Sequence, residues 1–143
     1  MQRRPGFTLT ELIVVLVILG ILATYGISQY IPARERGLGR EARASLKLVA
    51  AAEKIYRMRW GSYYASTGAG SQEHIQNLNT YLKLSLNAGA LRSWDYVVDP
   101  GITGIKKSFK AKADRIGEGG YLYCQYAIDQ SQDDPIVVIG PCP

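Results

Sequence analysis

The chain has 143 residues, 47% of them hydrophobic, which predicts one domain of ordinary size with a packed core and excludes disorder throughout. Lys and Arg number 17 against 12 Asp and Glu, a formal net charge of +5 that allows attraction to anionic lipid or nucleic acid and identifies neither. With one histidine, His74, and two cysteines, Cys124 and Cys142, the chain cannot build a multi-cysteine zinc site, and it has no phosphate-cradling glycine loop.

Residues 1–6, Met-Gln-Arg-Arg-Pro-Gly, form a short basic head. Residues 7–27 are apolar apart from Thr8, Thr10, Glu11 and Thr24. As one helix rising about 1.5 Å per residue, this stretch spans roughly 30 Å, the thickness of a bilayer's hydrocarbon core. Ala23-Thr24-Tyr25-Gly26 is a poor match to a secretory cleavage site, and the run is longer than a signal peptide's apolar core, so the segment is expected to be retained. Glu11 is not explained by a plain anchor, because a carboxylate at the hydrocarbon boundary costs several kcal/mol unless paired, protonated or able to reach water. Two readings stand: a boundary residue reaching solvent, or a carboxylate with a cationic partner. A cut between Gly6 and Phe7 would create an α-amino group four residues from Glu11, and a neighbouring subunit would present the same amine.

The run Gly6-Phe7-Thr8-Leu9-Thr10-Glu11-Leu12-Ile13-Val14-Val15 resembles the class III signal of type IV pilins and pseudopilins, and among them most a type IV major pilin. The resemblance covers residues 1–32. It implies cleavage between Gly6 and Phe7 by a membrane-embedded aspartyl prepilin peptidase, N-methylation of Phe7, and a role for Glu11 as the assembly carboxylate. Gly20 also falls where pilins place a glycine. The family's frequent helix proline would fall at Ser28, whereas this chain has Pro32, so a bend or melted stretch is expected near Pro32 or Gly37-Leu38-Gly39. Arg34, Arg36, Arg40 and Arg43 after the span outnumber Arg3 and Arg4 before it, which by charge alone would hold the C-terminal part in the cytoplasm. The resemblance and the two cysteines favour export of that part, since long domains translocate regardless of flanking charge.

Residues 41–60 read as a second helical stretch: Leu46, Val49, Tyr56 and Trp60 recur near helical spacing, Leu48, Ala52 and Ile55 widen the stripe, and Glu53 is placed to pair with Arg57. Gly61 is expected to end it. Residues 63–71 read as loop and residues 75–86 as a short helix. The run Ser71-Gln72-Glu73-His74 carries no nucleophile signature, so no catalytic residue and no cofactor is expected and the chain reads as a non-enzyme. The Tyr56…Gly61…Tyr63 and Asn77-Leu78…Tyr81-Leu82 pattern is similar to the αβ-loop of pilins. Strands are predicted at residues 94–98, 105–113, 121–128 and 136–139, divided by turns at Asp99-Pro100-Gly101, Gly117-Glu118-Gly119-Gly120 and Asp133-Asp134-Pro135. The two cysteines resemble the bridge that bounds the D-region of type IV pilins, implying a Cys124–Cys142 disulfide; two reduced thiols are the alternative.

Three further groups have plainer readings. Lys106, Lys110 and Lys112 alternate on one strand face, and a solvated face or edge protection outweighs contact with DNA phosphates. Asp129, Asp133 and Asp134 lack the spacing of an EF-hand, so solvated turns outweigh a metal site. The ten tyrosines are expected to fill core and subunit contacts.

The fold class expected is α+β, a long N-terminal helix packed on a small antiparallel sheet of three to four strands. Its parts are a cleaved leader (1–6), a transmembrane and polymerisation helix (7–30), an amphipathic helix half (31–61) and a globular head (62–143). The function expected is that of a structural subunit of a type IV pilus-like filament. Its partners are further copies of itself, prepilin peptidase, the assembly platform and motor, and the inner membrane before assembly. A type II secretion pseudopilin or minor pilin is the first alternative, and a membrane-tethered binding module that never polymerises is the second. A pilin would pass from the inner membrane to the cell surface, a pseudopilin to the periplasm.

Overall fold

The computed structural model describes residues 7–64, 72–100, 108–116, 124–140 and 142. The expected leader, the Gly117–Gly120 turn and Lys106 lie outside the described residues. Two compact units divide the chain, Met1–Arg36 and Gly37–Pro143.

A single helix, α1, runs Leu9–Trp60. No melted stretch interrupts it: the helix continues through Pro32 and across Gly37 and Gly39. Pro32 has no N–H to give the carbonyl one turn back, but that loss leaves the flanking helical bonds in place and does not end the element. At the other end Gly61 adopts φ +74° and donates its N–H to the Arg57 carbonyl at 2.8 Å, the left-handed stop that favours glycine.

Helix α2, Gln72–Leu82, starts three residues earlier and ends four earlier than the sequence pattern predicts. Lys83 takes a left-handed φ of 56°, and Leu84 N–H reaches back to the Asn79 carbonyl at 3.1 Å. That six-to-one bond closes a Schellman stop, and the periodic Leu86 lies beyond it. Asn79 then grips Leu86 on both sides: Nδ2 donates to the Leu86 carbonyl and Leu86 N–H donates to Oδ1, each at 2.8 Å.

Four strands follow: β1 (Trp94–Pro100), β2 (Phe109–Arg115), β3 (Gln125–Asp129) and β4 (Ile136–Ile139). They form one antiparallel sheet in the order β1-β2-β3-β4. The strand period of two sends Trp94, Tyr96 and Val98 of β1, Phe109, Ala111 and Ala113 of β2, and Tyr126 and Ile128 of β3 into the core. Against that face lie Ala42, Leu46 and Val49 from the second half of α1, and Ile75, Leu78 and Leu82 from α2. The architecture is α+β, a long N-terminal helix packed on a four-stranded antiparallel sheet.

The apolar stripe of α1 is narrower than its sequence predicts. Leu46 and Val49 are buried, but Leu48 is 59% exposed, Ile55 49% and Trp60 71%. At 100° per residue Leu48 and Ile55 lie opposite Leu46, so α1 carries two apolar stripes, one on the sheet and one facing outward with Met58.

Candidate assembly site

Phe7, Thr8 and Glu11 stand together at the start of α1, while Gly6 lies outside the described residues. Thr8 is the N-cap. Its carbonyl accepts Leu12 N–H at 3.3 Å and its Oγ1 accepts Glu11 N–H at 3.3 Å. Glu11 answers with Oε2, which accepts Thr8 N–H at 3.2 Å and the Thr8 hydroxyl at 3.0 Å. This is a capping box, in which each side chain accepts from the other residue's otherwise orphaned backbone N–H. Chain pattern alone carried the signal, since Thr8-Leu9-Thr10-Glu11 has the Thr-x-x-Glu spacing followed by an apolar run. The carboxylate is also well placed electrostatically, because the first turn of a helix carries partial positive charge. Within one copy of the chain, the exposed Glu11 carboxylate is therefore held by the Thr8 N–H and hydroxyl.

From Leu9 to Leu22 every side chain is exposed, and the large apolar ones form an unbroken surface around the helix. A helix apolar on all sides has no solvated face and requires lipid or other helices around it. The hydroxyl of Thr24, two residues beyond this stretch, donates to the Gly20 carbonyl at 2.9 Å and so is satisfied without water.

At the far end of the chain a disulfide joins Cys124, buried beside β3, to Cys142. It ties the segment after β4 to the head, and together with the β3–β4 pairing it closes the C-terminal loop at two points. The bulge between Gln125 and Tyr126 adjusts the register there.

The remaining candidate groups are dispersed. Lys112 is ion-paired with Asp99 and Lys110 is exposed one period away, so the described part of the lysine row is partly neutralised. Asp129 accepts the N–H and hydroxyl of Ser131 at 2.8 and 2.6 Å, bonds that hold its carboxyl below the usual range, and Asp134 is paired with Lys47. Among the described residues no three His, Cys, Asp or Glu side chains gather as metal ligands. His74 is buried in α2, where desolvation lowers its pKa against the opposing pull of Asp99 and Asp95. Glu53 does not pair with Arg57: it turns into the core, and Arg57 Nη1 donates instead to the Tyr63 hydroxyl at 3.0 Å.

Residues 1–26 match the family model of the prokaryotic N-terminal methylation motif. The type II secretion system core protein G of Pseudomonas aeruginosa is 42% identical over 78 residues, which is 53% of this chain and 54% of that protein. The chain thus spans about half the length of the curated relative it matches. No solved structure matches it. The segment that holds Phe7 and Glu11 therefore lies within the match to the prokaryotic N-terminal methylation motif.

Proposed function

We propose that the chain is a pseudopilin, the structural and non-enzymatic subunit of a short filament of the type II secretion kind. The observation that carries this reading is the 42% identity to a type II secretion core protein over 53% of the chain, joined to the methylation motif at residues 1–26. It reverses the order expected from sequence, in which a type IV pilus subunit stood first. In this reading residues 1–6 are a leader cut away by prepilin peptidase, Phe7 becomes the methylated first residue, and residues 7–30 hold the precursor in the inner membrane. Polymerisation then exchanges lipid for neighbouring copies of the same helix. Residues 31–61 connect that helix to the head formed by residues 62–143, and an assembly platform and motor supply the energy of extension.

The physics of α1 supports a packing role. Its first half is apolar on every face, and its second half keeps an outward stripe of Leu48, Ile55 and Met58 after the sheet has taken the inner one. A helix with two apolar stripes is suited to lie between a head and a second helix. A type IV pilus is the second reading, favoured by the Cys124–Cys142 bridge, which resembles the bridge of pilin D-regions.

The two readings part in a single experiment on native cells. Surface filaments are sheared off, and this chain is weighed in the sheared and inner-membrane fractions while secretion of extracellular enzymes is assayed in a deletion strain. A form lacking residues 1–6 with one methyl on Phe7, held with the inner membrane, together with lost secretion, is the expected result. The same processed form concentrated in the sheared fraction with secretion intact would establish the pilus instead. An intact leader in both fractions would overturn both readings.

A further inference from the structure

We propose that Glu53 is a proton-operated clasp, a buried carboxyl that holds the Tyr63–Tyr64 segment onto α1 while protonated and lets it go when ionised. Glu53 lies on the inner stripe of α1 beside Val49 and Ala50 with 0% of its surface exposed. Its Oε2 accepts the Tyr64 N–H at 2.8 Å, and its Oε1 is buried with no hydrogen-bond partner among the described residues. A carboxylate taken out of water needs several donors to offset the lost hydration. One donor and one orphaned oxygen is the provision made for a neutral acid.

Among the described residues no counter-charge acts on Glu53. Desolvation pushes the Glu53 carboxyl up to about 7, and the Tyr64 N–H pulls the other way with less force. On α1 itself, Arg57 is turned to the Tyr63 hydroxyl. On α2, Tyr81 stacks on Tyr64, and the shift of His74 is set by burial and by Asp99 and Asp95, not by Glu53. On β1, Tyr96, which burial raises to about 12, bonds Ser45 and feels Glu41. From β2 comes Phe109, packed on Tyr63.

The bond from Tyr64 positions two rings. Tyr63 lies against Phe109 at 4.9 Å, and Tyr64 sits between Tyr56 at 5.7 Å and Tyr81 at 5.0 Å. Through these contacts one carboxyl joins the end of α1 to α2 and to β2. In the closed state the proton is retained up to a pH of about 7, whereas a carboxyl opened to water returns to its ordinary 4.5 and gives its proton to solvent. Opening therefore becomes easier as pH rises from about 4.5 to about 7, and gains nothing further above that. The clasp lies where the second half of α1 meets the Tyr63–Tyr64 segment and is independent of which filament the chain builds.

The test is amide hydrogen exchange on the full chain in detergent micelles between pH 4.5 and 8.5, corrected for the intrinsic pH dependence of exchange. The protection factor of the Tyr64 amide is expected to fall about tenfold per pH unit through the window, a few hundred-fold in all, and then level off. In Glu53→Gln, which keeps the acceptor without the proton, it should stay flat, and the wild-type titration stands by itself if that variant fails to fold. A flat profile in the wild-type chain, or the same decline in Glu53→Gln, would overturn the proposal. So would a Tyr64 opening free energy equal throughout to that of the Ile128 amide in β3, because exchange would then proceed by global unfolding alone.

Discussion

Thr8 and Glu11 cap each other: each donates its backbone N–H to the other's side chain, at 3.2 and 3.3 Å, before any second copy of the chain is present. A carboxylate that binds a neighbour's amine must therefore share or surrender this box. Two substitutions separate the two uses. Glu11→Gln keeps the geometry, since glutamine also serves at the third position of a capping box, and removes the charge. Under the proposed function it should leave insertion and leader cleavage intact and depress filament assembly at least tenfold, scored by electron microscopy and cross-linking. Assembly at the wild-type level in Glu11→Gln would assign Glu11 to the cap alone.

The partner substitution tests the cap itself. Thr8→Ala removes both the Oγ1 acceptor and the hydroxyl donor, which for a helix N-cap costs about 1 kcal/mol. Amide protection at Glu11 and Leu12 should drop about five- to tenfold in micelles while that of residues beyond the second turn is unchanged.

The two stripes of α1 should respond oppositely to truncation. Leu46 is fully buried against the sheet, so Leu46→Ala should destabilise the head by about 2–5 kcal/mol in urea denaturation. Leu48→Ala, at a side chain 59% exposed, should change stability by less than about 0.5 kcal/mol. Its cost should instead appear in filament yield, if the outward stripe packs on another copy. A Leu48→Ala chain as unstable as Leu46→Ala would contradict the division into two faces.

Loss of the Cys124–Cys142 bridge opens a loop of 18 residues of sequence separation. In the chain-entropy account the paired substitution Cys124→Ser with Cys142→Ser lowers stability by about 3 kcal/mol. The denaturant slope should rise as well, because the uncrosslinked unfolded chain exposes more surface. An unchanged midpoint would mean that β3–β4 pairing alone holds the C-terminal segment.

The legible parts of this fold were those written in strong local patterns. The apolar run after Phe7, the Gly61 stop and the alternation in β1 and β2 each fix an element with few competing solutions. What went unread depends on which of two local options the tertiary structure selects. Glu53 and Arg57 have the spacing of an exposed ion pair, yet the sheet claims the face on which Glu53 stands and Tyr63 supplies a different partner for Arg57. Leu48 and Ile55 read as core because a hydropathy pattern cannot say which of two apolar stripes meets the head. Pro32 reads as a bend or melted stretch because the cost of one missing hydrogen bond is visible in sequence, while the continuous 52-residue helix that contains it is not. The capping box at Thr8 and Glu11 is legible in the Thr-x-x-Glu spacing ahead of an apolar run.

Stability between pH 4.5 and 7 should carry two opposing contributions, one from Glu53 of α1 and one from His74 of α2. Glu53 has a folded pKa raised to about 7 from 4.5, so its contribution is fully present below pH 4.5 and is lost as pH rises through about 7, on the order of 3 kcal/mol in total. His74 is shifted the other way: burial lowers it from 6.5, so its contribution is present above 6.5 and is lost as pH falls through the lower folded value. The wild-type profile between pH 4.5 and 7 is the sum of a falling and a rising limb, and each single variant should expose the limb that remains. In Glu53→Gln, stability should rise with pH up to about 6.5, and in His74→Gln it should fall with pH across the whole window. Urea denaturation of the full chain at half-unit pH steps reads both slopes, and the slope survives even if either variant is less stable at every pH. Parallel profiles in all three chains would show that neither side chain changes its proton affinity on folding.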